Sequence, residues 1–192
     1  MDTAWLASAT GFALAMTATP GPNNAMVAAS AANFGIRRSL PHVLGIALGF
    51  PAMLVLVAFG LAEVLAASPA LQAGLRWVGT AWMLWLAWKI ATAEPAAADV
   101  PSRGRPMTLV QAALFQWVNP KAWIIAGGAI LTYGRPWVMA VLFALTAFGS
   151  LLGWAAIGLG TARLLRTPQA LRWFNRAMAL LLVASLVPVV LG

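Results

Sequence analysis

Long apolar runs, with no alternation of apolar and polar positions, organise this chain. The first uncharged stretch extends from Thr3 to Ile36 and is closed by Arg37 and Arg38. A second extends from Ser39 to Ala62 and ends at Glu63. A third covers Pro69 to Ile90, with Arg76 near its start and Lys89 near its end. Residues 91–106 mix Pro, Ala, Gly and charge without apolar periodicity, which marks a loop. Three further runs follow: Met107 to Thr132, Pro136 to Thr161, and about Ala170 to Leu191. A membrane-spanning helix needs ~20 apolar residues, whereas a barrel strand needs only ~9–11 alternating ones. The pattern therefore predicts an all-α polytopic membrane protein with six transmembrane helices. Residues 1–192 form a single transmembrane domain, in halves of about 1–92 and 107–192 with a cytoplasmic linker at about 93–106. The N-terminus lacks the basic region of a secretory signal, so it reads as a mature first span.

Composition agrees with this reading. Hydrophobic residues make up 62% of the chain and charged ones 8%, against about 25% charged in a soluble protein. So little polar material cannot cover a soluble surface. The chain has no cysteine, which removes disulfides, thiolate metal sites and dithiol redox chemistry. One histidine and four acidic residues leave no basis for a multi-ligand metal site, and no cofactor is expected. An intramembrane enzyme would need a nucleophile–base pair or a cluster of acids, and the runs contain neither. The net charge of +8 would suggest nucleic acid in a soluble protein. Here it fits the lipid bilayer instead, because Lys and Arg collect in cytoplasmic loops. Arg37 and Arg38 follow run one, Lys89, Arg103 and Arg105 follow run three, and Arg163, Arg166, Arg172 and Arg176 follow run five. Only Arg135 and Arg76 fall on the other side. The asymmetry predicts an inner-membrane protein with both termini periplasmic.

The halves look related. An offset of 100 pairs Pro20 with Pro120, Gly49 with Gly149, Gly60 with Gly160 and Arg76 with Arg176. A three-helix repeat must reverse its orientation, giving two inverted repeats as in many secondary transporters. The proline pair weighs most, since each proline interrupts an apolar run.

Thr19-Pro20-Gly21-Pro22-Asn23-Asn24 lies in the middle of the first run. Two prolines remove two backbone donors and Gly21 adds freedom, so the helix should break here. In hydrocarbon, carbonyls freed in this way cost several kcal/mol unless they face protein or a wet cavity. Asn23 and Asn24 place amides beside them. Asn119-Pro120-Lys121 is the counterpart in run four, with a lysine inside a span, where it needs a cavity or a partner. These residues are the expected substrate site. A carboxylate would favour Lys121 or a helix N-terminus, and an ammonium would favour bare carbonyls and the amide oxygens of Asn23, Asn24 or Asn119.

The remaining candidates are weaker. Glu63 is placed at headgroup level, and His42 at the interface beside Arg37 and Arg38. With Lys121 they are the candidates for proton coupling. Tyr133 and several tryptophans near the run ends fit an aromatic belt. Gly45, Gly49, Gly149 and Gly153, at four-residue spacing, predict close helix packing of runs two and five against runs one and four.

The Thr19–Asn24 motif, followed by Gly35-Ile36-Arg37-Arg38 and Gly45-Ile46-Ala47-Leu48-Gly49, resembles the LysE/RhtB family of amino-acid exporters. Trp85-Leu86-Ala87-Trp88-Lys89-Ile90 and Asn119-Pro120-Lys121 extend the likeness along nearly the whole chain. Within the family it looks most like the cysteine/O-acetylserine exporter type. The resemblance implies efflux of amino acids by proton antiport. Many relatives have an aspartate where this chain has Asn23, so one obvious proton carrier is missing. The scarcity of acidic residues in the spans argues against lysine or arginine as cargo. The alternative is a channel or metal-ion permease of the same broken-helix plan. A homo-oligomer is compatible with the pattern, which does not fix its size.

Overall fold

The computed structural model describes residues 2–93, 104–165 and 167–187. Most of the expected linker, with Arg103, Arg166 and the end of run six, lies outside them.

Run one becomes two helices, α1 (Thr3–Ala18) and α2 (Pro22–Phe34). Run two is α3 (Ile36–Leu56), continued through a π-helical segment at Val57–Leu61 into the short α4 (Ala62–Ala66). Run three is α5 (Pro69–Ala91). Run four comprises α6 (Leu109–Phe115), a 3₁₀ turn at Gln116–Val118, and α7 (Pro120–Tyr133). Runs five and six are α8 (Pro136–Leu165) and α9 (Pro168–Ala184).

Local chemistry explains the boundaries. Helices α2, α5, α7, α8 and α9 each begin on proline, where the missing N–H costs nothing. Asp2, Ser68, Thr108 and Thr167 cap α1, α5, α6 and α9, and Thr108 forms a reciprocal capping box with Gln111. The loop expected around Arg37 shrinks to Gly35, whose φ of 80° suits a residue without Cβ. The arginine pair therefore sits in the first turn of α3, ahead of the Ser39 start read from sequence. The π segment has the same origin, because Gly60 at φ 98° interrupts the helix there.

Helix α8 packs against α1, α2 and α3, while α3 also packs on α6, and α5 packs on α9. Each of these contacts joins a helix before the linker to one after it. Among the described residues, Ile36–Ala66 and Pro136–Leu164 are each long and apolar enough to cross a membrane. The surface is apolar, with Leu131 90% and Ile124 70% exposed, and Asn24, Ser30, Asn33, Ser39, His42, Gln116, Asn119 and Asn175 are buried inside. Such a distribution suits a lipid surround.

One expectation is corrected. Gly45 and Gly49 do carry close contacts: a methyl at Gly45 would run into the Leu109 backbone of α6, and one at Gly49 would lie 2.5 Å from Ala113 Cα. Gly149 and Gly153 do not, since a methyl at either meets nothing within 4 Å. On α8 the close approach falls at Gly158, directly against the Ala28 backbone of α2. Spacing identified a small-residue stripe, but the face that α8 turns to its neighbours is another one. His42 is buried against protein. Because α3 starts at Ile36, His42 lies almost two turns in and is only 2% exposed.

Candidate functional site

Between α1 and α2, residues Thr19 to Gly21 are non-helical, as two missing proline donors require. The freed carbonyls all find donors. Thr19 Oγ1 donates to Ala15 O at 2.6 Å and to Met16 O at 3.1 Å. Thr17 O accepts from Asn24 Nδ2 and from Ser150 Oγ of α8, both at 2.9 Å. Ala18 O accepts from Trp154 Nε1, also of α8, at 3.2 Å. Thr19 O accepts from Asn24 Nδ2 at 2.8 Å and from Lys121 Nζ at 2.9 Å. Lys121 Nζ also donates to Pro20 O at 3.3 Å. Helical bonding resumes where Ala25 N donates to Gly21 O.

The second interruption is shorter. Asn119 alone leaves the helical region, at φ −88° and ψ 108°. Its side chain accepts from Lys121 N at 3.1 Å and so caps α7. Asn119 N donates back to Gln116 O, and Trp123 Nε1 donates to Trp117 O at 2.9 Å.

The two interruptions meet through side chains. Lys121 crosses to the carbonyls of the first and lies over Gly21, where an added Cβ would come within 2.9 Å of Lys121 Cδ. A side chain at position 21 would therefore make the Lys121 side chain shift. Asn23 and Gln116 exchange two amide bonds, of 2.9 and 3.2 Å. Asn23 is thereby held as a neutral partner on both its oxygen and its nitrogen. A cavity of about 50 Å³ opens here, lined on its polar side by Gly21, Asn23, Asn24, Asn119 and Lys121. Phe50, Ile125, Phe143 and Leu151 form apolar walls. That volume holds a few waters.

Thr19 and Pro20 face outward, and Pro22 is buried at the start of α2. Pro120 is half-buried. Glu63 is exposed on α4, and neither it nor His42 lines this cavity. Sequence reasoning missed Gln116, Ser150 and Trp154, which complete the site. It also missed the buried Asn33–Asn175 pair joining α2 to α9 by reciprocal amide bonds of 2.8 and 3.1 Å. Among the described residues, no group of three or more His, Asp or Glu could hold a metal ion.

Interrupted helices that meet at a small polar cavity inside an apolar exterior are the architecture of a membrane transport protein. The LysE type translocator model matches residues 14–189, and the chain belongs to that family. It is a membrane transporter and not an enzyme. The cysteine/O-acetylserine efflux protein of Salmonella typhimurium (strain LT2) is 36% identical over 183 residues, covering 90% of each chain. That of Escherichia coli (strain K12) is 34% identical over the same length and coverage. No solved structure matches the chain.

Proposed function

We propose that this transporter exports small neutral amino acids or close derivatives, of the cysteine and O-acetylserine kind, from the cytoplasm across the inner membrane. The observation that carries the reading is the ammonium of Lys121 resting on the carbonyls of Thr19 and Pro20. A zwitterion matches that contact in both parts. Its ammonium takes the carbonyls that Lys121 releases, and its carboxylate takes the released Lys121 as partner. The exchange leaves no buried charge or acceptor without a partner, which is what a low-dielectric site demands. Asn23, Asn24 and Asn119 complete the polar wall. The relatives' efflux names and the family match support the cargo class and the direction.

The cavity is smaller than such a cargo, so loading requires its walls to part. The architecture proposed for this is six spans in two inverted repeats, with both termini periplasmic. Contacts that run mainly between the halves, and the corresponding positions of Pro20 and Pro120, favour it. Export is by proton antiport. Asn23 cannot carry the proton, which leaves Lys121, His42 and Glu63 as candidates, with Lys121 acting first as the carboxylate anchor.

Counterflow in proteoliposomes tests the reading. Labelled cysteine, kept reduced, should accumulate against unlabelled serine or O-acetylserine, which a channel cannot support. Lys121→Gln should lose cargo binding if the lysine is the anchor. Exchange that survives while proton coupling is lost would make the lysine the proton carrier. Wild-type rates of concentration in that variant would refute both roles. A reporter active only in the periplasm should work when fused after Gly192, and activity from a cytoplasmic reporter there would reverse the orientation.

A further inference from the structure

A second and larger cavity, of about 400 Å³, lies at the end of the bundle where α5 enters and α6 leaves the linker. It shares no lining residue with the cavity at the interruptions. Its wall carries Ser30 and Asn33 of α2, His42 of α3, Lys89 of α5, Arg105 and Gln111. His42 is the anomaly. It is 2% exposed, lines this cavity, and neither ring nitrogen has a hydrogen-bond partner. A buried imidazole without partners is costly unless something visits it. Lys89 and Arg105 are exposed at the same cavity, with Lys89 Nζ 4.5 Å from the centre of the Trp85 ring. No described lining residue is acidic.

The two cavities lie along the same two helices. On α2, Asn23 faces the first cavity, while Met26, Ser30 and Asn33 face the second. Spacings of three, four and three residues put these four on one helical face. On α3, His42 faces the second cavity, and Ile46 and Phe50 face the first at successive four-residue steps. The polar stripe is thus interrupted by Met26 and Ile46, both nearly fully buried.

We propose that the larger cavity is a second cargo site, which takes a small carboxylate-bearing zwitterion with its carboxylate toward Lys89 and Arg105 and its other polar groups toward His42 and Ser30. It rests on the exporter reading and deepens it. Cargo gathers at the basic mouth, moves along the shared face of α2 and α3, and reaches Lys121 once Met26 and Ile46 part. A lipid headgroup shares the anionic chemistry. A headgroup tethered to its acyl chains must reach His42 from the lipid, whereas His42 is buried in the protein, and this favours the free zwitterion.

The natural absence of cysteine makes the test direct, since any introduced thiol is unique. Ala29→Cys, or Ile90→Cys if the first does not fold, places a thiol on the cavity wall. Its modification by a small methanethiosulfonate is followed in proteoliposomes, with and without serine as protectant. The expected result is modification slowed about tenfold at serine near ten times its Kd, with the slowing retained in a Lys121→Gln background. Adding His42→Leu should shift half-protection to about tenfold higher serine, the equivalent of one lost hydrogen-bonding partner. No protection while wild-type counterflow is intact would overturn the second site and leave the exporter reading standing. Protection that disappears with Lys121→Gln would overturn it too, since one site then explains everything. Protection by added phosphatidylglycerol and not by serine would assign the cavity to lipid and overturn it. Failure of wild-type counterflow with every amino acid tried would remove the exporter reading and this inference together.

Discussion

The two helix interruptions look equivalent in sequence and are built differently. The first leaves three residues outside the helix and is closed locally by Asn24 and from a distance by Ser150 and Trp154 of α8 and Lys121 of α7. The second leaves one residue out and is sealed almost entirely within its own chain segment, by Asn119 and Trp123. A break sealed locally can travel as a rigid piece. A break whose carbonyls are held by two other helices registers any displacement of those helices. In the proposed transport cycle the first is where movement and occupancy are coupled, and the second positions the lysine that reports on it.

Several substitutions would break or sharpen this contrast. The largest effect is expected from Lys121→Gln, which removes a charged donor from Thr19 O and Pro20 O. Charged hydrogen bonds contribute about 1.5–3 kcal/mol, so transport in a vesicle assay should fall by roughly 10- to 100-fold. The Pro20→Ala, Pro22→Ala double variant should restore helical bonding, straighten the first break and impair export more than folding. Normal efflux at wild-type expression would reduce that break to a structural kink. Pro120→Ala should do much less, because Asn119 still caps α7 in that variant. Asn119→Ala removes that cap and should cost about 0.5–2 kcal/mol in a thermal-unfolding assay. The smallest and most discriminating pair is Trp154→Phe against Trp123→Phe. Each deletes one indole N–H from a break carbonyl and should cost about 0.5–1.5 kcal/mol. Only Trp154→Phe, which reaches in from another helix, should also slow transport. Equal slowing by both would erase the distinction.

The interruptions themselves were legible because proline announces its effect locally. Run ends read from charge came close to the helix ends, except that α3 starts at Ile36 rather than Ser39. What closes the breaks was not. Gln116 and Trp154 sit in ordinary apolar stretches, and their partners lie 93 and 136 residues away in the chain. One signal was available. An amide inside a span must find a partner, and Asn33, Gln116 and Asn175 all met that condition. The burial of His42 was not legible beside the exposed Arg37 and Arg38, because it depends on a helix that starts at Ile36 and turns His42 toward the protein interior. The glycine stripe on α8 failed because spacing gives a face without saying which neighbour it meets.

The tethered ammonium on the carbonyls of Thr19 and Pro20 has one more consequence. Backbone oxygens that accept an ammonium inside a membrane also accept sodium or potassium. Lys121 keeps that site filled with a cation that cannot leave. An inorganic ion entering alone would have to evict the lysine and strand its charge in a low-dielectric cavity, at a cost of several kcal/mol. A zwitterion brings a carboxylate for the evicted lysine and avoids that cost. On the proposed function, the side chain that receives the cargo also insulates the site against ion leak.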